Sequence, residues 1–175
     1  DALVAAKLAR VVVALPDPFP QVAGEGIARL RAAGIEVIVG PGAAAARELN
    51  IGFLSRVVRG TPWVRMKVAV SLDGRTALPD GSSQWITAEP ARRDGHAWRR
   101  RAGAILTGVG TVLEDDPRLD VRLVDTPRQP LRVVVDSRLE TPPTARILPP
   151  PGEVLLYAAQ ADADREAALR AAGAQ

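Results

Sequence analysis

The chain has 175 residues, 47% of them hydrophobic and 25% charged, and its 23 basic and 20 acidic side chains leave a net charge of +3. That is the balance of a folded protein with room for one domain or parts of two, and so mild a charge does not call for a nucleic-acid partner. There is no Cys and His96 is the lone His, which excludes disulfides, zinc–thiolate sites, iron–sulfur clusters, thiol nucleophiles and multi-histidine metal sites.

No apolar run reaches the ~18–20 residues of a membrane span, and no basic segment followed by an apolar block marks a leader. The expectation is a cytoplasmic protein with no membrane partner. Met66 is the one Met and Asp1 the first residue, so the sequence reads as an internal piece of a longer protein.

Arg10 to Leu15 is a short β-branched run closed by Pro16-Asp17-Pro18, a strand and a turn. Val22 to Ala33 has helical spacing at Ile27, Leu30 and Ala33, with Gly34 as its stop. Ile35 to Val39 reads as a second strand. Ala43 to Val58 reads as a second helix, with Leu49, Phe53 and Val57 on one face. Strand–helix–strand–helix predicts parallel pairing.

Gly60-Thr61-Pro62 is the best boundary. Beyond it Val64, Met66, Val68, Val70 and Leu72 alternate with Arg65, Lys67, Ala69 and Ser71, which predicts a strand ending at Asp73-Gly74. Thr87 is the expected N-cap of a helix whose stripe is Ala91, Gly95, Trp98 and Ala102. Ala104 to Thr107, Leu131 to Ser137 and Val154 to Tyr157 read as strands. Asp162 or Asp164 caps a last Ala-rich helix.

Ligands of open α/β sheets gather beyond the carboxyl ends of the strands. Three such ends carry polar or Gly turns: Ser71 to Gly74, Thr107 to Thr111, and Asp136-Ser137. Gly108-Val109-Gly110 begins a dinucleotide fingerprint, but Leu113 stands where its third Gly belongs, so a turn into a short helix competes with a cofactor loop. Lys67 is one of two Lys in the chain. It is either a strand lysine whose stem covers apolar surface or a cation facing a ligand. Asp115-Asp116-Pro117 is either an acidic turn or a ligand-holding carboxylate. Trp85 packs or stacks on a ring. The arginines at 92, 93 and 99–101 flank a helix in water or bind a phosphate. His96 is expected to be exposed or partly buried and without chemistry.

Taken together, these stretches resemble a family. Lys67 to Ala77 (KVAVSLDGRTA), Gly81 to Thr87 (GSSQWIT), Ala91 to Asp94, Ala104 to Gly108, Thr111 to Pro117 and Leu131 to Ser137 are similar to the reductase domain of the bifunctional riboflavin-biosynthesis deaminase/reductases. Asp17 to Gly24, Ala32 to Val37, Leu49-Asn50 and Phe53 look like the end of the deaminase domain in the same proteins. The resemblance implies an α/β fold. Residues 61–175 would be the first part of a dihydrofolate-reductase-like domain, and residues 1–60 the closing β-α-β-α piece of a cytidine-deaminase-like domain.

It also implies NADPH-dependent reduction of the ribosyl group of 5-amino-6-(5-phosphoribosylamino)uracil to ribityl. Carried over, Ala69, Trp85, Thr111, Asp115 and Ser137 touch the cofactor. Ser83, Arg99, Leu119 and Arg122 touch the substrate, with an Arg suited to its phosphate. Lys67 and Asp115 take the polar roles around the reacting sugar. Zinc belongs to the part of the deaminase that this chain lacks. A later acidic residue and a Gly-rich loop, which complete the family's reductase site, are also absent from it. The resemblance further suggests a homo-oligomer acting on a phosphorylated pyrimidine. The alternative is a non-catalytic remnant or assembly module on the same scaffold.

Overall fold

The computed structural model describes residues 2–160 and 162–175. Two compact units divide between Met66 and Lys67.

In the first unit, β1 (Arg10–Val13) pairs in parallel with β2 (Glu36–Val39), Val11 opposite Val37. After α1 (Ala2–Ala5), the helix that joins these strands is α2 (Glu25–Ala32). Its end is a Schellman motif. Gly34 adopts φ 77°, its N–H reaches Arg31 O, and Ile35 N–H reaches Leu30 O. Leu30 and Ile35, brought together by this turn, are both buried.

The expected long helix from 43 to 58 is instead three pieces: α3 (Ala43–Leu49), α4 (Ile51–Leu54) and a π-turn over Ser55–Arg59. Asn50 interrupts it with φ −109°, and its side-chain amide bonds back to Ala46 O. An Asn that turns to its own backbone competes with the helix ladder. The supposed apolar face is not a core face either, since Leu49 and Phe53 are exposed.

In the second unit, β3 (Ala104–Gly108), β4 (Leu131–Val135) and β5 (Val154–Tyr157) form a parallel sheet in that order. Thr107 faces Val134, and Val134 faces Leu156. β4 is central, so Arg132, Val133 and Val134 are all buried, as a strand covered on both faces requires. α5 (Glu89–Arg101) precedes β3 and α6 (Val109–Asp115) follows it. α7 (Ala163–Ala171) is capped by Asp162, whose carboxylate accepts from Arg165 N–H.

The core joins Val112 of α6, Val134, Leu139, Ala145, Ile147, Leu148, Val154, Leu169 and Ala174. Each large member contributes about 1.5–3 kcal/mol by leaving water. A second Schellman turn closes α7. There Gly173 takes φ 107° and Ala174 N–H bonds Leu169 O, which sets two core side chains side by side.

Two further expectations need correcting. Residues 64–72 are in no β-ladder among the described residues, and Val64, Met66, Val68, Val70 and Leu72 are exposed. Alternation makes a strand only where a neighbouring strand takes its N–H and C=O groups. The helix start also lies one residue later than Thr87. Ala88 is the cap residue, without a side-chain cap bond, and Pro90 lies in the first turn. Thr87 contributes its main-chain oxygen, to Arg92 Nη1 at 2.7 Å.

Candidate functional site

The carboxyl ends of β3 and β4 lie side by side because the strands are parallel neighbours. From β3 the chain passes through Gly108 straight into α6, so Thr111 and Asp115 are exposed on a short helix beginning at that edge. Open space surrounds both Gly108 and Gly110 where a side chain would stand. Beside them β4 ends in Asp136-Ser137. Asp136 is fully buried. Its carboxylate accepts from Glu140 N–H at 2.9 Å and from Thr141 N–H and Oγ1–H, both at 2.7 Å. Burial pushes its pKa up, but these bonds outweigh it and hold the group below the ordinary carboxylate value. Ser137 is exposed, and its carbonyl takes the N–H groups of Ala159 and Gln160 after β5.

Ser83 and Asp115 are brought together from 32 residues apart, Ser83 Oγ lying 3.4 Å from Asp115 Oδ1. The Asp115-Asp116 turn is built by Asp116, whose φ of 40° closes α6 and whose carboxylate accepts from Arg146 N–H at 2.8 Å. Trp85 is exposed, with the Arg92 guanidinium 4.5 Å over its ring. Ala69 is half-buried and Lys67 exposed. Since 64–72 is unpaired, the two do not share a strand face, and the turn at 71–75 does not end a strand. That turn is local: Ser71 bonds Asp73, and Arg75 Nε reaches Asp73 at 3.0 Å.

The remaining positions meet in the loop after α6. Leu119 takes φ 52° and packs against the core. Arg99 is half-buried and donates from Nη1 to Asp120 O at 3.1 Å. Arg122 is exposed at its head, while its main-chain N–H donates to His96 Nδ1 at 3.2 Å.

His96 is thus corrected from the sequence expectation. It is buried, 5% exposed, and serves as a neutral acceptor. Burial first, then Arg99 and Arg122, push its pKa down to about 4 against the pull of Asp120. The arginines of α5 are also not simply solvated. Arg93 and Arg100 donate to the carbonyls of Leu123 and Asp125. A loop without a ladder needs partners for its carbonyls, and guanidinium forks supply them.

Asp120 was missed by sequence reasoning. It is 1% exposed, with Arg122 Nη1 at 2.6 Å from Oδ1 and Arg118 Nη2 at 2.7 Å from Oδ2. Burial pushes its pKa up, and the two arginines bring it below the ordinary value. The available signal was Arg118-x-Asp120-x-Arg122, one acidic residue with a basic residue two positions away on either side. Gln129 fixes the loop from behind, donating to Val121 O at 2.9 Å and accepting Val121 N–H at 2.8 Å. Among the described residues no three His, Cys, Asp or Glu converge as a metal set. No helix among them is long and apolar enough to cross a membrane.

Comparison with known proteins places the chain in a family. The RibD C-terminal domain matches residues 62–172. The riboflavin biosynthesis protein RibD of Escherichia coli K12 is 46% identical over 174 residues, which is 93% of this chain and 47% of that protein. The RibD of Aquifex aeolicus is 46% identical over 148 residues, 85% of this chain and 42% of that one. The chain spans about half the length of these relatives.

A structure of Acinetobacter baumannii RibD superposes with TM-score 0.84 at 44% identity, over 99% of this chain and 49% of that one. A Thermotoga maritima diaminohydroxyphosphoribosylaminopyrimidine deaminase/5-amino-6-(5-phosphoribosylamino)uracil reductase gives 0.84 at 32% identity, over 98% and 52%. The fold is α/β, and over the matched residues 62–172 dihydrofolate-reductase-like. The chain belongs to the RibD C-terminal domain family.

Proposed function

We propose that this chain supplies part of an NADPH-dependent reductase of riboflavin biosynthesis. It would reduce the ribosyl group of 5-amino-6-(5-phosphoribosylamino)uracil to ribityl. Residues 1–60 would be the end of a deaminase-like domain, without its zinc site. Action in the cytoplasm, on a phosphorylated small molecule and as a self-associated assembly, belongs to the same proposal.

One observation carries the reading. The Ser83–Asp115 contact joins a residue assigned to substrate with one assigned to cofactor and chemistry, at the far end of the short helix that leaves β3. The residues there suit a dinucleotide: the space about Gly108 and Gly110 is open, and Thr111, Asp115 and Ser137 are exposed around it. When bound, NADPH would supply the hydride that goes to the sugar C1′ of the open-chain imine, with a proton from solvent completing the amine at its nitrogen. Thr111, Ser137 and Trp85, with the backbone at Ala69, hold and orient it. Asp115 accepts from a sugar hydroxyl, and the Lys67 ammonium donates to the sugar oxygen freed on ring opening. Ser83 and Leu119 line the substrate side. The guanidinia of Arg99 and Arg122 take the phosphate, whose oxygens their forks match. The protein's share is orientation and charge placement.

The test is substrate-dependent NADPH oxidation by the natural polypeptide and its Asp115→Ala variant. The expected loss in kcat is about 100-fold or more. The thermal midpoint should stay put, because Asp115 is exposed and its described side-chain contact is the long one to Ser83. An unchanged rate in the variant would refute the assignment.

A further inference from the structure

We propose that Asp120 is a positioning residue of the substrate site, a buried carboxylate that holds Arg122 and Arg118 in one fixed spread. This rests on the reading of Arg122 as a substrate contact. Oδ1 accepts a hydrogen bond from Arg122 Nη1 at 2.6 Å, while Arg118 Nη2 lies 2.7 Å from Oδ2 as an ion pair without hydrogen-bond geometry. The carboxylate is 1% exposed while each arginine side chain is 41% exposed. The anion is therefore buried and the two cations partly exposed beside it.

The Asp120 backbone is itself fixed. Its carbonyl takes Arg99 Nη1, and its neighbours are held by His96 and Gln129. Two guanidinia this close repel each other unless an anion lies between them. Asp120 supplies that anion from the protein side, so the pair stands ready before any phosphate arrives. Arg99, Arg118 and Arg122 against one carboxylate leave a formal +2, which complements a phosphate dianion.

Two accounts of Asp120 predict opposite signs. If the carboxylate merely dilutes the positive charge, neutralising it makes phosphate binding tighter. If it positions the arginines, neutralising it makes binding weaker. The experiment is steady-state kinetics of the natural polypeptide with Asp120→Asn, Arg122→Ala and the double variant, with melting curves to confirm folding. Positioning predicts that Asp120→Asn raises the KM for the phosphorylated substrate about 10-fold. The KM for NADPH and kcat should stay within about 2-fold. The double variant should lose less than the two single losses combined, because Asp120 acts in part through that side chain.

A KM that is unchanged or lowered in Asp120→Asn, while Arg122→Ala raises it, overturns the role of Asp120 alone. A KM untouched by Arg122→Ala removes the substrate reading of Arg122 and this inference with it. Should Asp120→Asn fail to fold, guanidinium NMR of the unmodified protein decides. Slow rotation and distinct Nη signals for Arg122 support the inference, and a freely rotating Arg122 head overturns it.

Discussion

His96 Nδ1 accepts the main-chain N–H of Arg122 at 3.2 Å, tying the buried face of α5 to a loop 26 residues further on. The bond exists only while the ring is neutral at Nδ1. Unfolded, His96 takes up a proton near pH 6.5; folded, it does so at about 4. Its contribution is therefore complete above about pH 6.5 and is lost as the pH falls toward 4. The expected loss is on the order of 1–2 kcal/mol after allowance for solvent screening. Urea midpoints measured between about pH 7.5 and 4.5 check this. His96→Asn, which keeps an acceptor and cannot be protonated there, should flatten the slope.

Arg132 sits in the middle of β4 with 1% exposure, and its guanidinium gathers the carbonyls of Ile147, Pro149 and Gly152. Arg132→Lys offers one nitrogen where the fork reached three oxygens, so carbonyls are left without partners, that of Ile147 in a buried bond and those of Pro149 and Gly152 in partly buried ones. The expected destabilisation is about 2–4 kcal/mol, read from denaturant unfolding. A change below about 0.5 kcal/mol, the size typical of a surface substitution, would show that these carbonyls are satisfied by water.

Asp136 ends the same strand and receives three hydrogen bonds from Glu140 and Thr141. Asp136→Ala leaves two main-chain N–H groups and a hydroxyl unpaired, at an expected cost of about 3 kcal/mol or more. Ser137 follows directly, so NADPH binding, by the assignment above, should weaken in the same variant. Asp136→Asn retains one acceptor and should fall between. Melting temperature and cofactor titration on the three proteins order them.

Gly95 and Gly173 should respond to Ala with opposite signs. Gly95 is inside α5 with open space around it, so Gly95→Ala is expected to stabilise by about 0.5–1 kcal/mol. Gly173 has φ 107°, and an added Cβ would stand 3.3 Å from Leu148 O. Gly173→Ala strains the turn that seats Leu169 and Ala174, and should destabilise by about 1–3 kcal/mol. A pair of thermal melts decides both.

The sequence carried the strands of the parallel sheet well, because Leu131 to Val135 and Val154 to Tyr157 are apolar runs between turn residues. The candidate site residues came from likeness of motif, and among them the structure puts Ser83 against Asp115 and Arg99 against the Asp120 backbone. It did not carry the fate of residues 64–72, since a strand is a property of its neighbour as much as of its own alternation. Nor did it carry His96, Asp120 and Arg132 as buried groups. Each is a polar residue inside only because specific partners meet it there, and those partners lie 12 or more residues away or on irregular loops. Periodicity is blind to such pairings.

Arg132 differs from His96 and Asp120 in one respect that decides how the second unit yields to acid. A guanidinium keeps its charge throughout the range in which imidazoles and carboxylates titrate. The loop at 118–122 hangs on His96 and Asp120, both of which gain a proton as the pH drops. The loop at 147–152 hangs on Arg132, which does not. Acidification therefore has an order of release: the stretch bearing Leu119 and Arg122 slackens while the far side of β4 still grips its loop, so Arg118 and Arg122 lose their alignment before the sheet comes apart.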